Sequence, residues 1–324
     1  MKVAGYLGAL LGLMLLVVLV LRADWAAMIE SLATAGWQLL WLAPYRLVYF
    51  VLYAIGWLIL LRPYDPQRRA GLDYLVWVAT VREGIDRLLP VASVGGGIVG
   101  IRLVRWRGLD AISVAATVIT EVLLTLVVVY VFTAMGLLLL VHLRIAGGDA
   151  YRHLVAVFLL SLPVPLVTLL LLRYGSVFQR LQGTLYRLVG SSSLAESAAA
   201  LDRELRSCLH RGWALASTAA LQFAGFLSGA FEVWFALRLF GHPVDITAAL
   251  MLESMTQAVR HLAFIVPAGL GVQEAGLIVF GQMIGISGEL ALAVSMAKRL
   301  REVLCGVPAL LSWQWAEARR LHGR

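Results

Sequence analysis

Long apolar runs alternate along this chain with short polar segments that are rich in arginine. A helix needs about 20 predominantly apolar residues to cross a lipid bilayer. Runs of this kind predict about six full membrane spans, at approximately 3–21, 36–61, 111–141, 153–172, 212–240 and 289–313. The pattern therefore predicts an all-α polytopic membrane protein.

Two further apolar segments, 71–107 and 246–286, are interrupted and do not read as simple spans. The first breaks at Pro90, ahead of VASVGGG, and the second breaks at Pro267, in the sequence PAGLG. The arm after Pro90 reaches only about 15–18 Å at about 1.5 Å per residue, against a hydrocarbon core of about 30 Å. We therefore predict two re-entrant helical hairpins, whose irregular backbone must be covered by protein or water.

The distribution of lysine and arginine predicts the topology, because short basic loops stay in the cytoplasm. The basic segments placed there are 62–70, 102–107, 173–211 and the C-terminal tail. Both termini are then cytoplasmic, and the segments predicted to face outside are 22–35, 142–152 and 241–245. On this topology the first hairpin enters from the inside and the second enters from the outside.

The two hairpins also resemble each other in sequence. Pro90 and Pro267 are 177 residues apart, and the same offset relates Glu121 to Lys298 in the spans that follow. Broken helices in units of opposite orientation are typical of transporters built from inverted repeats. We therefore predict a single integral membrane domain over 1–324. Its parts are a first half at 1–172, a cytoplasmic amphipathic connector at 173–211 and a second half at 212–324.

Composition agrees with a membrane protein. Of the 324 residues, 61% are hydrophobic and 14% are charged, whereas soluble proteins are about 45–50% apolar and about 25% charged. The net charge of +8 is attributed to cytoplasmic basic residues and to contacts with anionic phospholipids, so no nucleic-acid partner is expected. Cys208 and Cys305 lack metal-ligand spacing and are predicted to be free thiols. Neither a cofactor nor a metal site is predicted.

Ionisable residues inside the predicted spans and hairpins define the candidate site. A carboxylate is costly in a membrane, so each should have a partner. One interpretation is structural pairing of the acids with nearby basic residues. The other is a lipid site, in which carboxylates are protonatable or face a cation, and Lys and Arg bind a phosphate. The predicted substrate-binding residues are Glu121, Glu253, Arg260, Gln273, Glu274, Lys298, Arg299 and Arg301.

The chain carries no HEXXH, no DDxxD pair, no HxxxxD pair and no P-loop. These motifs mark common metalloprotease, prenyltransferase, acyltransferase and nucleotide-binding sites. Their absence argues against a membrane enzyme, and the chain is predicted not to be one.

The segments PAGLGVQEAG and RLLPVASVGG, with KRLRE downstream, resemble the transmembrane-region family of lysylphosphatidylglycerol synthases, also called flippase-like. The similarity covers nearly the whole chain and is closest to the hopanoid-biosynthesis-associated membrane proteins of that family. Members usually have an acidic residue in the first glycine-rich motif, where this chain has Gly95, Gly96 and Gly97. The resemblance implies movement of a polar or isoprenoid lipid, hopanoid-related or a phospholipid, between leaflets of the bacterial inner membrane.

Two other functions stay open beside this one. The first is a non-transporting scaffold that gathers lipid or hopanoid biosynthesis enzymes at the membrane. The second is a membrane-embedded enzyme that modifies a lipid. The expected partners are a membrane lipid as substrate, anionic phospholipids and lipid-biosynthesis enzymes.

Overall fold

A computed structural model describes residues 33–89, 95–143, 149–175, 193–263, 266 and 269–322, together with Met14. Within these ranges every regular element is a helix, and the predicted all-α membrane fold is confirmed. The helices are α1 (Leu42–Leu61), α2 (Leu72–Leu88), α3 (Gly95–Arg105), α4 (Ala111–His142), α5 (Asp149–Ser161), α6 (Pro163–Tyr174), α7 (Ser193–Leu209), α8 (Gly212–Leu239), α9 (Ile246–Leu262), α10 (Val272–Met283) and α11 (Gly288–His322). A 3-10 helix at Gly36–Trp41 leads into α1.

Four helical stretches in the described ranges are long and apolar enough to cross a membrane. They are Ala33–Tyr64, Ala111–His142, Tyr151–Tyr174 and Gly212–Leu239, and they coincide with predicted spans two to five. The predicted span at 289–313 lies in α11, which has 35 residues but carries charged side chains near its start, in its middle and near its end. The predicted span at 3–21 lies outside the described residues.

Local sequence explains where several helices begin. Asp110 caps α4, because its carboxylate accepts a hydrogen bond from Ser113 N at 2.9 Å. This bond holds the pKa of the Asp110 carboxyl below its usual value. Pro163 begins α6 directly after α5, where its lack of an N–H is tolerated in the first turn of a helix.

The arms after the two breaks are short, as predicted. Helix α3 has 11 residues and α10 has 12, so they extend only about 17–18 Å. Helix α3 packs against α2, and α10 packs against α9, so each forms one arm of a helical hairpin. Gly269 and Gly271 adopt φ of +60° and +74° just before α10, which favours glycine. The prolines of both breaks, Pro90 and Pro267, lie outside the described residues.

The helix boundaries repeat along the chain. Helices α3 and α10 begin at Gly95 and Val272, and α4 and α11 begin at Ala111 and Gly288. Both pairs are separated by the 177 residues that relate Pro90 to Pro267. The order α1–α2–α3–α4 is therefore repeated by α8–α9–α10–α11.

The packing shows that the repeat is inverted. Thr218 Oγ1 donates to Gly56 O at 3.0 Å, and Tyr45 Oη donates to Ser228 O at 3.1 Å, so α1 and its counterpart α8 run antiparallel. Across the halves, α2 packs on α11 just as α9 packs on α4. An approximate two-fold axis that crosses the helices produces this arrangement, which is that of inverted-topology transporters.

The connector contributes one described helix, α7, which packs against α4 and α6. Its apolar side buries Leu205, Cys208 and Leu209, in agreement with the predicted amphipathic pattern. The preceding amphipathic segment falls in 176–192, outside the described residues. Cys208 and Cys305 are both free.

Candidate functional site

The middle of α11 carries the densest group of buried charges in the described structure. Lys298, Arg301 and Glu302 are only 4%, 3% and 6% exposed, and Arg299 lies beside them. Because ions in a membrane protein are costly without partners, the contacts of these four residues define the site.

Arg301 connects α11 to charged residues of α1, α2 and α8, the helices at which the two halves of the repeat meet. Its Nη1 donates to Glu232 Oε2 at 2.8 Å. Arg46 Nη1 lies 3.9 Å from the same oxygen, and Arg46 Nη2 donates to Glu83 Oε1 at 2.7 Å. The Arg46 guanidinium also stacks on the ring of Tyr49, 3.8 Å from its centroid. Charges from α1, α2, α8 and α11 are thereby connected.

Arg87 extends the connection along α2 and back to α11. Its Nε lies 3.6 Å from Glu83 Oε1 and 3.9 Å from Glu302 Oε1. The other oxygen of Glu302 accepts a hydrogen bond from Arg299 Nη1 at 3.1 Å. Glu302 is thus surrounded by three arginines, since Arg301 Nη2 also lies 3.7 Å away.

The first turn of α10 is held against α11 by polar contacts. Glu274 Oε1 accepts from Arg299 Nε at 3.1 Å and from Ser295 Oγ at 3.1 Å. Gln273 Nε2 donates to Ser295 Oγ at 3.2 Å, and its Oε1 accepts from Arg260 Nη1 at 3.3 Å. The first turn of α10 and the basic group of α11 therefore form one continuous polar structure.

We call the connected charges the central ion network. It has four arginines and four glutamates, so its formal charge is zero. Its members are Arg46, Glu83, Arg87, Glu232, Glu274, Arg299, Arg301 and Glu302.

Two predicted residues lie in a separate ion pair. Lys298 Nζ donates to Glu253 Oε2 at 2.7 Å, and Gln257 Nε2 donates to Glu253 Oε1 at 2.7 Å. The pair joins α11 to α9. Gly229 of α8 lets Glu253 approach, because a Cβ on Gly229 would lie 3.2 Å from Glu253 Oε1.

Glu121 has a different partner. Arg82 Nη1 donates to Glu121 Oε2 at 2.8 Å, and Arg82 Nη2 donates to Tyr53 Oη at 3.1 Å. The guanidinium also lies over the ring of Trp57, 4.7 Å from its centroid. Glu121 and Lys298 occupy equivalent positions in the two halves, and each pairs with the long arm of its own hairpin. In the first pair the span carries the acid and the hairpin carries the base, and in the second pair the span carries the base and the hairpin carries the acid.

The predicted site residues do not form one continuous group. Glu274 contacts Arg299 directly, whereas Glu121 and Lys298 are each engaged in a separate ion pair. Periodicity assigns residues to helix faces but does not give the rotation of one helix against the next.

Five residues of the central ion network were not in the predicted set: Arg46, Glu83, Arg87, Glu232 and Glu302. Each is an ionisable residue in an apolar helix, which is the signal that identified the others. In α2 the run from Arg82 to Arg87 holds four ionisable residues, and this density marks it as part of the site.

The carboxylate that lies beside the glycine-rich start of α3 belongs to a residue of the neighbouring helix α2. Gly96 N donates to Asp86 Oδ1 at 2.9 Å, so a carboxylate of α2 sits at the N-terminus of α3, where negative charge is favoured. A Cβ on Gly96 would lie 2.5 Å from the Asp86 carboxylate and 2.5 Å from Arg82 O. Glycine is therefore required at this position, and Asp86 provides the charge that Gly95, Gly96 and Gly97 lack.

A cleft opens beside the central ion network, between α1, α2 and α11. Its empty volume, counted out to open solvent, is about 230 Å³. The lining residues are Arg46, Phe50, Thr80, Glu83, Gly84, Arg87, Arg301, Glu302, Cys305 and Gly306. In the described ranges, the cleft included, no group of three or more His, Cys, Asp and Glu residues is suited to a metal ion.

The helices, the inverted repeat and the buried charges between its halves together indicate which class of protein this is. The protein is an all-α integral membrane protein with a polar centre. The chain belongs to the family described as the lysylphosphatidylglycerol synthase TM region, whose model matches residues 6–308. The family indicates a membrane protein that acts on lipids. Searches among curated proteins and among solved structures return no match.

Proposed function

We propose that the protein is a flippase-like transporter, which moves a polar or isoprenoid lipid between the leaflets of the bacterial inner membrane. The lipid is hopanoid-related or a phospholipid. The central ion network carries the proposal, because it lies where the two inverted halves meet, beside a broken helix. Transporters of this architecture bind their substrates at such a place. Membership of a family associated with lipids supports the same conclusion.

The network offers what a headgroup needs while it crosses the membrane. An ion in a hydrocarbon core is costly unless it is paired. Arginines such as Arg299 and Arg301 bind phosphate oxygens through two parallel N–H bonds, and Glu274 can accept from an ammonium or hydroxyl. The headgroup can replace one residue of an ion pair at a time. Each arginine and glutamate of the network, and each charge of the headgroup, then keeps an oppositely charged neighbour throughout the crossing.

The test is lipid crossing in liposomes that contain the purified full-length protein and headgroup-labelled lipids. We expect crossing well above that of empty liposomes. Glu274→Gln keeps an acceptor for Ser295 but removes the charge that faces Arg299. Because a hydrogen bond to a charged group contributes about 1.5–3 kcal/mol, crossing should fall by roughly ten- to a hundredfold.

Glu317→Gln is the matched control, since Glu317 pairs with the exposed Arg102 toward the C-terminal end of α11. This variant should transport like the wild type. Wild-type crossing no faster than in empty liposomes would refute the proposal. Equal losses in both variants would refute the role of Glu274.

The same purified protein distinguishes transport from the two alternative functions, a scaffold for biosynthesis enzymes and a lipid-modifying enzyme. A scaffold for biosynthesis enzymes would fold and bind its partners without moving lipid. An enzyme would convert a lipid substrate into a product in detergent, where no leaflets exist. We propose transport without catalysis, so neither lipid conversion nor a requirement for a partner enzyme is expected.

The proposed topology places both termini in the cytoplasm and the two breaks on opposite sides. Single cysteines at Gly95 and Leu270, in a variant without Cys208 and Cys305, should react with an impermeant maleimide from different sides. Labelling of Gly95→Cys from the cytoplasm and of Leu270→Cys from the periplasm is the expected result. Labelling of both from one side would contradict the proposed orientation.

A further inference from the structure

The cleft beside α11 holds polar atoms that the protein itself leaves without partners. The unpartnered donors are Arg46 Nε, Arg87 Nη1 and Arg301 Nε. The acceptors without a hydrogen bond are Glu83 Oε2 and Glu302 Oε1, and the nearest cations to Glu302 Oε1 are Arg301 Nη2 at 3.7 Å and Arg87 Nε at 3.9 Å. All five residues line the cleft. Buried polar atoms are nearly always hydrogen-bonded in native proteins, so this set indicates a place for a polar ligand that both accepts and donates.

The charge balance of the cleft restricts the ligand further. Arg46, Arg87 and Arg301 are balanced by Glu83, Glu302 and the adjacent Glu232, which contacts both Arg46 and Arg301. The side chains of Arg301 and Glu302 are only 4% and 2% exposed. A ligand with a net charge would leave that charge uncompensated in a buried place, which is costly. A ligand with separated charges of both signs and no net charge would not.

The surroundings of the cleft indicate a lipid rather than a free metabolite. Its volume of about 230 Å³, counted out to open solvent, is too small for a whole lipid. The adjoining outer faces of α1 and α11 expose apolar side chains, among them Leu47, Val51, Val303, Leu304 and Val307. Acyl chains would lie against these faces while the headgroup occupies the cleft.

From these contacts we propose that the cleft binds the headgroup of a zwitterionic phospholipid. The phosphate would bind the free N–H groups of Arg46 and Arg87, and the ammonium would bind Glu83 and Glu302. The inference rests on the proposed transport of a lipid and names its substrate class. It requires no covalent step.

Selectivity of the wild-type protein tests the inference directly. The purified full-length protein in detergent is titrated calorimetrically with three soluble probes: glycerophosphoethanolamine, glycerol 3-phosphate and ethanolamine. The zwitterionic probe satisfies both sets of unpartnered atoms, so it should bind about tenfold or more tightly than either single-charge probe. Equal affinities, tighter binding of glycerol 3-phosphate, or no binding of glycerophosphoethanolamine would overturn the inference.

Two variants probe the assigned ends of the ligand. Glu83→Gln makes the cleft more positive, so the preference should shift toward glycerol 3-phosphate by about tenfold. Arg87→Gln makes the cleft more negative, so it should weaken the two phosphate-bearing probes and should not weaken ethanolamine. Arg102→Gln removes an arginine whose side chain is 60% exposed, and it should leave all three affinities as in the wild type. A uniform loss for every probe in Glu83→Gln would overturn the assignment.

The binding experiment and the liposome experiment can succeed or fail independently of each other. Selective binding of the zwitterionic probe without lipid crossing in liposomes would refute transport and retain this site. Lipid crossing without selective binding would retain transport and refute this site.

Discussion

The ion pair of Lys298 and Glu253 allows a structural role to be separated from a functional one. The two side chains are 4% and 2% exposed, and Lys298 Nζ lies 2.7 Å from Glu253 Oε2. At an effective dielectric constant of about 20, their attraction is about 6 kcal/mol. Desolvation of the two ions costs several kcal/mol each and offsets most of this attraction. The pair as a whole is therefore close to neutral for stability.

Removing one partner has a different consequence. In Lys298→Met the Glu253 carboxylate stays buried with only Gln257 as a donor. We expect a loss of about 3–5 kcal/mol, because the remaining charge is uncompensated. Adding Glu253→Leu removes that charge, and the double variant should recover most of the stability.

In a background that lacks the partly exposed Cys305, a thiol-reactive fluorophore reports unfolding, since Cys208 is fully buried in the folded protein. Its signal should appear at a lower temperature in Lys298→Met and return close to the wild-type temperature in the double variant. The double variant should still bind and move lipid if the pair is only structural. Additive losses in the two single variants, with no recovery in the double variant, would refute the reasoning.

Two further changes test local features of the fold. Asp110→Ala removes the N-cap of α4 and should cost about 1 kcal/mol. Because the folded-state pKa of Asp110 is lowered, its stabilisation is present above the unfolded pKa of about 3.9 and is lost as pH falls through the folded pKa. The melting temperatures of variant and wild type should then converge, and a constant difference down to that pH would contradict the capping role. Gly96→Ala forces a Cβ against Asp86 and the α2 backbone and should cost about 1–3 kcal/mol. Gly212→Ala, with open space around it, should cost nothing, and equal melting temperatures for the two alanine variants would contradict the packing argument.

Much of the architecture was predictable because apolar length and helix breaks leave a clear pattern in the sequence. The offset between Pro90 and Pro267 predicted that two stretches of the chain would repeat. The starts of α3 and α10, and those of α4 and α11, have the same separation. The short arms followed from arithmetic on the rise per residue, and the same reasoning located α1, α4 and α8.

The partners of the buried charges were not predictable in the same way. Glu121 required a cation, but the sequence offers many, and only the fold selects Arg82 of α2, whose Nη1 lies 2.8 Å from Glu121 Oε2. Glu232 is bound by Arg301, which lies 69 residues further along the chain. Pairs of this kind depend on helix rotation and crossing, which a one-dimensional pattern does not contain. The cost of burying ions indicates that partners exist, but not which ones they are.

The lengths of the buried ion pairs divide the central ion network along the boundary of the halves. Among the described residues, the buried pairs that cross between 1–172 and 212–324 are Arg46 with Glu232 and Arg87 with Glu302, each at 3.9 Å. Within a half, the hydrogen-bonded pairs are much shorter, as for Arg46 and Glu83 at 2.7 Å. The remaining two pairs within a half, Arg87 with Glu83 and Arg301 with Glu302, are intermediate at 3.6 and 3.7 Å.

Among the ion pairs of the network, a relative movement of the halves therefore breaks only the two long ones and keeps the hydrogen-bonded ones, although hydrogen bonds such as Thr218 Oγ1 to Gly56 O also cross the boundary. Electrostatic energy falls with distance, so the network opposes such a movement less than its eight charges suggest. The unpartnered atoms of the cleft lie at this same boundary, and a ligand bound there would replace the contacts that the movement removes. A second conformation in which Arg46 had left Glu83 while keeping Glu232 would contradict this division.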